Sequence, residues 1–579
     1  MNYFLRQLNS TSGFFRSQGK IFFALCFLFT SVKAQTTFEN IYGDSVLHLG
    51  AGDIIQSSDS GFIVAGGSST YGNGYTCPAA LFKTESNGAL LWKKQFFIHD
   101  YLMSSTSVKE TPDNGFIVTG MIVDSNFVLD PAIMKFRTLL IRTDNLGNVI
   151  WEKVFKPATD SLSMGYYYSA TSVKEMSNGN FVITGCVSDP QSLNKAYIIC
   201  TDSNGNLLWS KDYCVNSRYS GGNDLQVDAS GNITLLGNDY AVTAGDTNIL
   251  VLRTDSNGVP QWSRSLRTAV SDSLIPHFDY YQHIETDGTD LLLCGPIRHV
   301  GHPSWYGDVN FPYLLKMDNN GNLLWNKIYN NFQVDEVAGY TVKKLNSTQG
   351  SGYVLCGTSE DTALDADLLY LIRTDVSGNV TWQRTFGNYT DETGIGYCAV
   401  PAFDNGYAIL SGKDDPVAVG TFGSIFLIKT DSLGHAPCEE VNRPLAVSSK
   451  TFLNTAVTMQ VDSAVFIPDN LIISDAEALI DTMVVCPLVN GVHEIPLQKN
   501  QVTIYPDPFA AQATLQMKED LHNASVSIYN SYGEEVKQMT QVKGKDILIT
   551  RDQLPCGLYI VRVTENGHVV AVQKVMISD

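Results

Sequence analysis

KTESNGALLW at 83–92, RTDNLGNVIW at 142–151, CTDSNGNLLW at 200–209, RTDSNGVPQW at 253–262, KMDNNGNLLW at 316–325 and RTDVSGNVTW at 373–382 are one phrase written six times. KTDSLGHAPC at 429–438 is a seventh copy without the tryptophan. The tryptophans Trp92, Trp151, Trp209, Trp262, Trp325 and Trp382 are spaced by 59, 58, 53, 63 and 57 residues. Repeats of that period suit a four-stranded propeller blade with generous loops. Within the phrase, Asp can accept a hydrogen bond from its own backbone two residues on, and Gly supplies the positive φ that closes a hairpin. An aromatic residue at the same place in every copy is expected to pack between adjacent sheets. Its loss should cost about 3–5 kcal/mol where the ring is fully buried.

A second phrase precedes each copy: GFIVAG at 61–66, GFIVTG at 115–120, NFVITG at 180–185, NITLLG at 232–237, DLLLCG at 290–295, GYVLCG at 352–357 and GYAILSG at 406–412. Short β-branched and aromatic runs bounded by Gly, Asn or Asp read as buried strands between turns. The seventh unit ends without its returning strand, yet FENIYG at 38–43 matches WQRTFG at 382–387, with Phe38 in the tryptophan's place. The expected architecture is therefore all-β: a seven-bladed ring over 35–438, closed by a strand from the N-terminal end so that no sheet edge is left open.

The Asp-x-x-Gly-x-x-x-Trp phrase is similar to the repeat of quinoprotein-type propellers, although that family's turn has one more residue between Asp and Gly. It differs from the sialidase Asp box in the placement of Thr and in its wider gaps. Neither resemblance implies a catalytic site or a cofactor, and none is expected. The Asp/Asn-rich turns offer too few converging oxygens for calcium.

Residues 1–34 read as an export signal: Arg6, Arg16 and Lys20, then the apolar run IFFALCFLFTSV at 21–32, then Val32-Lys33-Ala34 before Gln35. Cleavage between Ala34 and Gln35 is expected, because an apolar run of about 12 residues is short of the roughly 20 that a spanning helix needs. Losing four basic residues and no acid would take the net charge from −20 to −24. Such a chain repels nucleic acid and anionic lipid. Ten of the eleven cysteines lie beyond the signal. They form neither CxxC pairs nor Cys/His sets at zinc spacing, and Cys438 with Cys486 is the first candidate bridge.

From Gln501 the pattern changes to short alternating runs, about seven strands expected over some eighty residues, as in an immunoglobulin-like β-sandwich. IYPDPF at 504–509, SVSIYNSYGEEV at 525–536, LPCGLYIVRV at 554–563 and QKVMI at 573–577 occur in that order. Residues 496–579 thereby resemble the type A C-terminal sorting domain of the type IX secretion system of Bacteroidetes, with Asp507 where that family usually has Asn. The resemblance implies handling by the type IX machinery, passage across the outer membrane, removal of the domain, and a passenger anchored at the outer cell surface or released. Residues 439–495 read as a connector partly packed on the ring.

No GxSxG, HExxH or phosphate-loop motif is present. The densest histidine group is His277, His283, His299 and His302, which matches no standard metal spacing. Trp305 with Tyr280, Tyr281 and Tyr306 is the candidate aromatic platform for a sugar or peptide. Two functions follow as expectations: a surface propeller that binds glycan or protein without catalysis, or a secreted polysaccharide hydrolase or lyase using acids such as Asp279 or Glu285.

Overall fold

The computed structural model describes residues 35–578, apart from 44–47, 70–76, 125–135, 159–169, 188–193, 216–217, 242–246, 269–273, 277–281, 301–307, 331–335, 346–348, 362–365, 388–392, 415–422, 439, 442–445, 464–465, 470, 479, 487–501, 531–534 and 566–567. Ala34 and the rest of the export segment therefore lie outside the described residues, as do His277, Asp279, Tyr280, Tyr281, His302, Trp305 and Tyr306.

Seven antiparallel sheets form the ring. In the first, His48–Gln56, Phe62–Ser69, Ala79–Thr84 and Leu90–Phe97 run from the axis outward, and the next five repeat that order. The seventh has three consecutive strands, Thr393–Pro401, Tyr407–Asp414 and Gly423–Thr430, and takes its fourth from Phe38–Gly43. Phe38 pairs with Lys429 and Tyr42 with Ile425, so the chain's beginning closes the ring as the FENIYG match requires.

The two sequence phrases meet across every blade boundary. Trp92 packs on Phe116 of the next blade at 6.0 Å, Trp151 on Phe181 at 6.0 Å, Trp325 on Tyr353 at 6.2 Å and Trp382 on Tyr407 at 5.5 Å. Phe38 does the same with Phe62 at 6.4 Å. Each indole also lies against the turn glycine of the following blade. A Cβ built on Gly205 would stand 2.6 Å from Trp151, and φ there is +76°. Glycine is thus required at that turn for both backbone conformation and space. The six repeat tryptophans are only partly buried, so their truncation should cost less than a fully buried ring. Asp202 accepts from the amides of Asn204 at 2.9 Å and Asn206 at 2.8 Å, the self-capping turn that the Asp-x-x-Gly spacing predicts. The basic residue opening the phrase pairs with an acid in the blade's other turn: Lys83 with Asp59 at 2.5 Å, Lys316 with Asp287 at 2.7 Å and Lys429 with Asp404 at 2.8 Å.

Beyond the seventh blade the chain turns back and circles the ring in reverse order. Glu440–Val441, Ala446–Ser448, Phe452–Ala456, Met459–Ser463, Phe466–Asp469, Ser474–Glu477 and Asp481–Cys486 each add an antiparallel outer strand to one blade, from the sixth back through the first to the seventh. Phe466 and Ile480 are buried beneath this belt, and Arg137 pairs with Asp469 at 2.6 Å.

The C-terminal region forms one sheet of five strands among the described residues: Val502–Tyr505, Gln512–Tyr529, Glu535–Thr550, Gly557–Glu565 and His568–Ile577. The expected count of about seven short strands falls because ATLQM and ASVSIYN join into one long strand, as do EVKQM and DILIT. Register shifts between Gln516 and Leu521 and between Leu521 and Ala524 bend the chain where turns were expected. Its alternating apolar residues, Leu515, Val526, Ile549, Val561 and Val575 among them, share one core.

Candidate binding site in the axial channel

The innermost strand of each blade contributes one residue at the same register position. Asp53 pairs with Ala65, Ser107 with Thr119, Ser172 with Thr184, Asp224 with Leu236, His283 with Cys294, Thr341 with Cys356 and Cys398 with Leu410. In six blades a β-bulge immediately precedes that residue. An extra residue there re-aims the strand's side chains, a device common beside functional sites. Two residues further along stand Ile55, Lys109, Lys174, Gln226, Glu285, Lys343 and Val400, a second tier by the alternation of a strand.

Residues of the first tier and part of the second line a cavity of about 480 Å³, completed by Ser104, Ser105, Thr106, Thr171, Asn223, Gln282, Met121 and Phe136. Hydroxyl and amide side chains are set among a larger apolar surface in its wall. Met121 lies at the outgoing part of one strand and Phe136 begins the next, so the cavity extends toward the end of the ring where the inner strands start.

Two ion pairs stand in and beside the cavity. Lys109 holds Asp53 at 2.7 Å, and Lys343 lies 3.6 Å from Glu285. Burial pushes the Asp53 carboxyl up, but Lys109, Lys343 and the Val108 amide together hold it below the ordinary carboxylate value. Burial likewise opposes the Lys343 charge, yet Glu285, Cys398, Asp53 and Asp224 carry its pKa above normal. Burial, then Lys343, Lys174 and Lys109, drive His283 well below its usual value, so its imidazole is neutral. Lys343 Nζ lies 2.9 Å from His283 Nε2, an arrangement in which the lysine donates and the ring proton sits on Nδ1. Asp224 accepts from the Leu225 amide at 2.8 Å and the Ile284 amide at 3.1 Å. Lys174 differs from its neighbours: it has no hydrogen-bonding partner among the described residues, and burial, reinforced by Lys109 and Lys343, lowers its pKa to about 8 against the pull of Asp224 and Glu285.

Of the residues singled out from the sequence, His283 lines the cavity, and Glu285 stands two residues on, paired with Lys343. His299 lies on the neighbouring strand, paired with Leu274. The tiers themselves escaped sequence reading. A signal was present, since Asp53, Ser107, Ser172, Asp224 and Cys398 each fall eight residues before the residue that opens the second phrase. Side-chain type varies around the ring, so only the position repeats. Among the described residues no group of His, Cys, Asp and Glu has the arrangement of a metal site, and no helix is long and apolar enough to cross a membrane.

Residues 503–578 match the family model described as the secretion system C-terminal sorting domain. No curated protein matches the chain. Among solved structures, the crystal structure of polysaccharide lyase Uly1 is similar at 10% identity and a TM-score of 0.37, over 66% of this chain and 90% of that one. The BSP domain of a biofilm associated protein is similar at 9% identity and a TM-score of 0.12, over 94% and 96%. At these scores neither likeness carries functional weight.

Proposed function

We propose that this chain is a secreted or outer-surface β-propeller, exported by the type IX secretion system, that binds glycan or protein through the axial cavity without catalysis. The sorting-domain match at 503–578 supports export, with an immunoglobulin-like sandwich as the proposed form of that domain. The observation carrying the binding reading is the ion pair of the cavity's Asp53 with Lys109 at 2.7 Å. Hydrolysis of a glycosidic bond calls for one carboxyl kept protonated opposite a second, whereas Asp53 is held in the ionised form by its lysine neighbours. The polysaccharide hydrolase or lyase is the competing reading. Tyr280, Tyr281, Trp305 and Tyr306 are proposed as additional ligand contacts, because the strands flanking them, His283–Asp287, Asp290–Val300 and Asp308–Met317, belong to the blade that supplies His283.

Export and ligand binding are tested separately. Fractionating cells that carry the full chain or one lacking 496–579 should show the shortened protein retained in the periplasm, and surface display of both would overturn the export reading. The full-length protein incubated on a glycan array should retain sugars unchanged in mass. Release of shortened or unsaturated products would establish the enzymatic reading in its place.

A further inference from the structure

We infer that the axial cavity is built for a small polyhydroxylated carboxylate, a sugar acid, whose carboxylate meets Lys174 and whose hydroxyls reach Asp224 and the surrounding hydroxyl and amide side chains. The inference rests on the binding reading above and specifies its ligand.

Three observations carry it. Lys109 and Lys343 have carboxylate partners within the channel, whereas Lys174 stands without one, in the same wall as the acid Asp224. Asp224 meets two amides and a neutral imidazole, which leaves its charge uncompensated by any hydrogen-bonded cation among the described residues. A ligand that presents an acceptor charge to one and donors to the other satisfies both at once. Next, the wall contains buried polar atoms with no partner among the described residues, namely the Ser105 hydroxyl, Gln282 Oε1 and His283 Nδ1. Unmet polar groups of this kind are uncommon in folded proteins and concentrate where a ligand or water completes the network. Finally, a volume of about 480 Å³ falls within the range of small-ligand pockets, and Ser, Thr, Asn and Gln side chains distributed through a largely apolar wall match the hydroxyls and C–H faces of a sugar. Met121 and Phe136 contribute apolar surface for the C–H face of a sugar ring.

The test is calorimetric titration of the full-length protein with glucuronate, glucose and acetate at pH 7. Glucuronate is expected to bind, with glucose and acetate each about tenfold or more weaker, since one loses the charge-assisted contact and the other the hydroxyls. Lys174→Gln should weaken glucuronate about tenfold or more and leave glucose unchanged. Asp224→Asn should weaken glucuronate and glucose alike, with circular dichroism confirming the fold of both variants. Equal binding of glucose and glucuronate, insensitive to Lys174→Gln, would overturn the sugar-acid assignment while sustaining the glycan-binding reading. Retention of other glycans on the array with no response to any of the three titrants would remove the axial site alone. Silence in both assays would remove the glycan reading with it.

Discussion

Lys174 shows what one buried charge can cost a fold. Its pKa falls from 10.5 to about 8, so below pH 8 the charged amine carries its full burial penalty in the folded state. Between about pH 8 and 10.5 only the unfolded chain still holds that proton, and stability must rise with pH across this window. Lys174→Met should therefore stabilise the protein at pH 7 by about 2–3 kcal/mol, with the gain shrinking toward zero near pH 10.5. Chemical denaturation of both proteins across that range checks it. The difference between them is the quantity to compare, because Asp224, Glu285, Lys109 and Lys343 act on the same amine and are present in both proteins. A gain that stays constant with pH would mean that packing, and not charge burial, sets the effect.

At the scale of elements, the blade repeats and the belt were unequally visible beforehand. Each repeat announces itself because the Asp-x-x-Gly turn and the following tryptophan serve a purpose that recurs seven times: Gly205 receives Trp151, and Gly88 receives Phe38. The belt has no such phrase. Its short strands share no motif, and which blade each one joins is set by the ring it wraps. Cys438 stands just before the belt and is disulfide-bonded. Its amide donates to Glu39 at 2.9 Å, and Glu39 is the register partner of Cys486 at the belt's far end. A Cys438–Cys486 bridge would therefore fasten the belt into a closed loop around all seven blades. Peptide mapping without reduction should recover that pair. Cys438→Ser should lower stability by up to about 4 kcal/mol on the loop-closure relation, and recovery of a different partner for Cys438 would disprove the clasp.

For the whole molecule the decisive fact is closure. Phe38 is fully buried, joins the last blade to the first through Phe62, and occupies the place that tryptophan fills elsewhere. Phe38→Ala should cost about 3–5 kcal/mol, more than Trp151→Ala, whose ring is only partly buried. Urea denaturation of the two variants compares them directly, and an equal loss would deny closure any special weight. Blade number, the closing strand and the sorting domain were all readable from the chain, because each depends on local turn chemistry or on motifs contiguous in sequence. The merged strands of the C-terminal sheet were not, since register shifts take the place of turns there, and Gly544, which reads as a turn residue, sits at one of those shifts within a single long strand. Nor was the channel: Asp53, Lys174, Asp224, His283 and Lys343 come from five different blades and acquire meaning only when the ring brings them to one axis. Linear order fixes what each strand is, whereas charge pairing and an unmet ammonium are properties of distances through space, which only the closed ring decides.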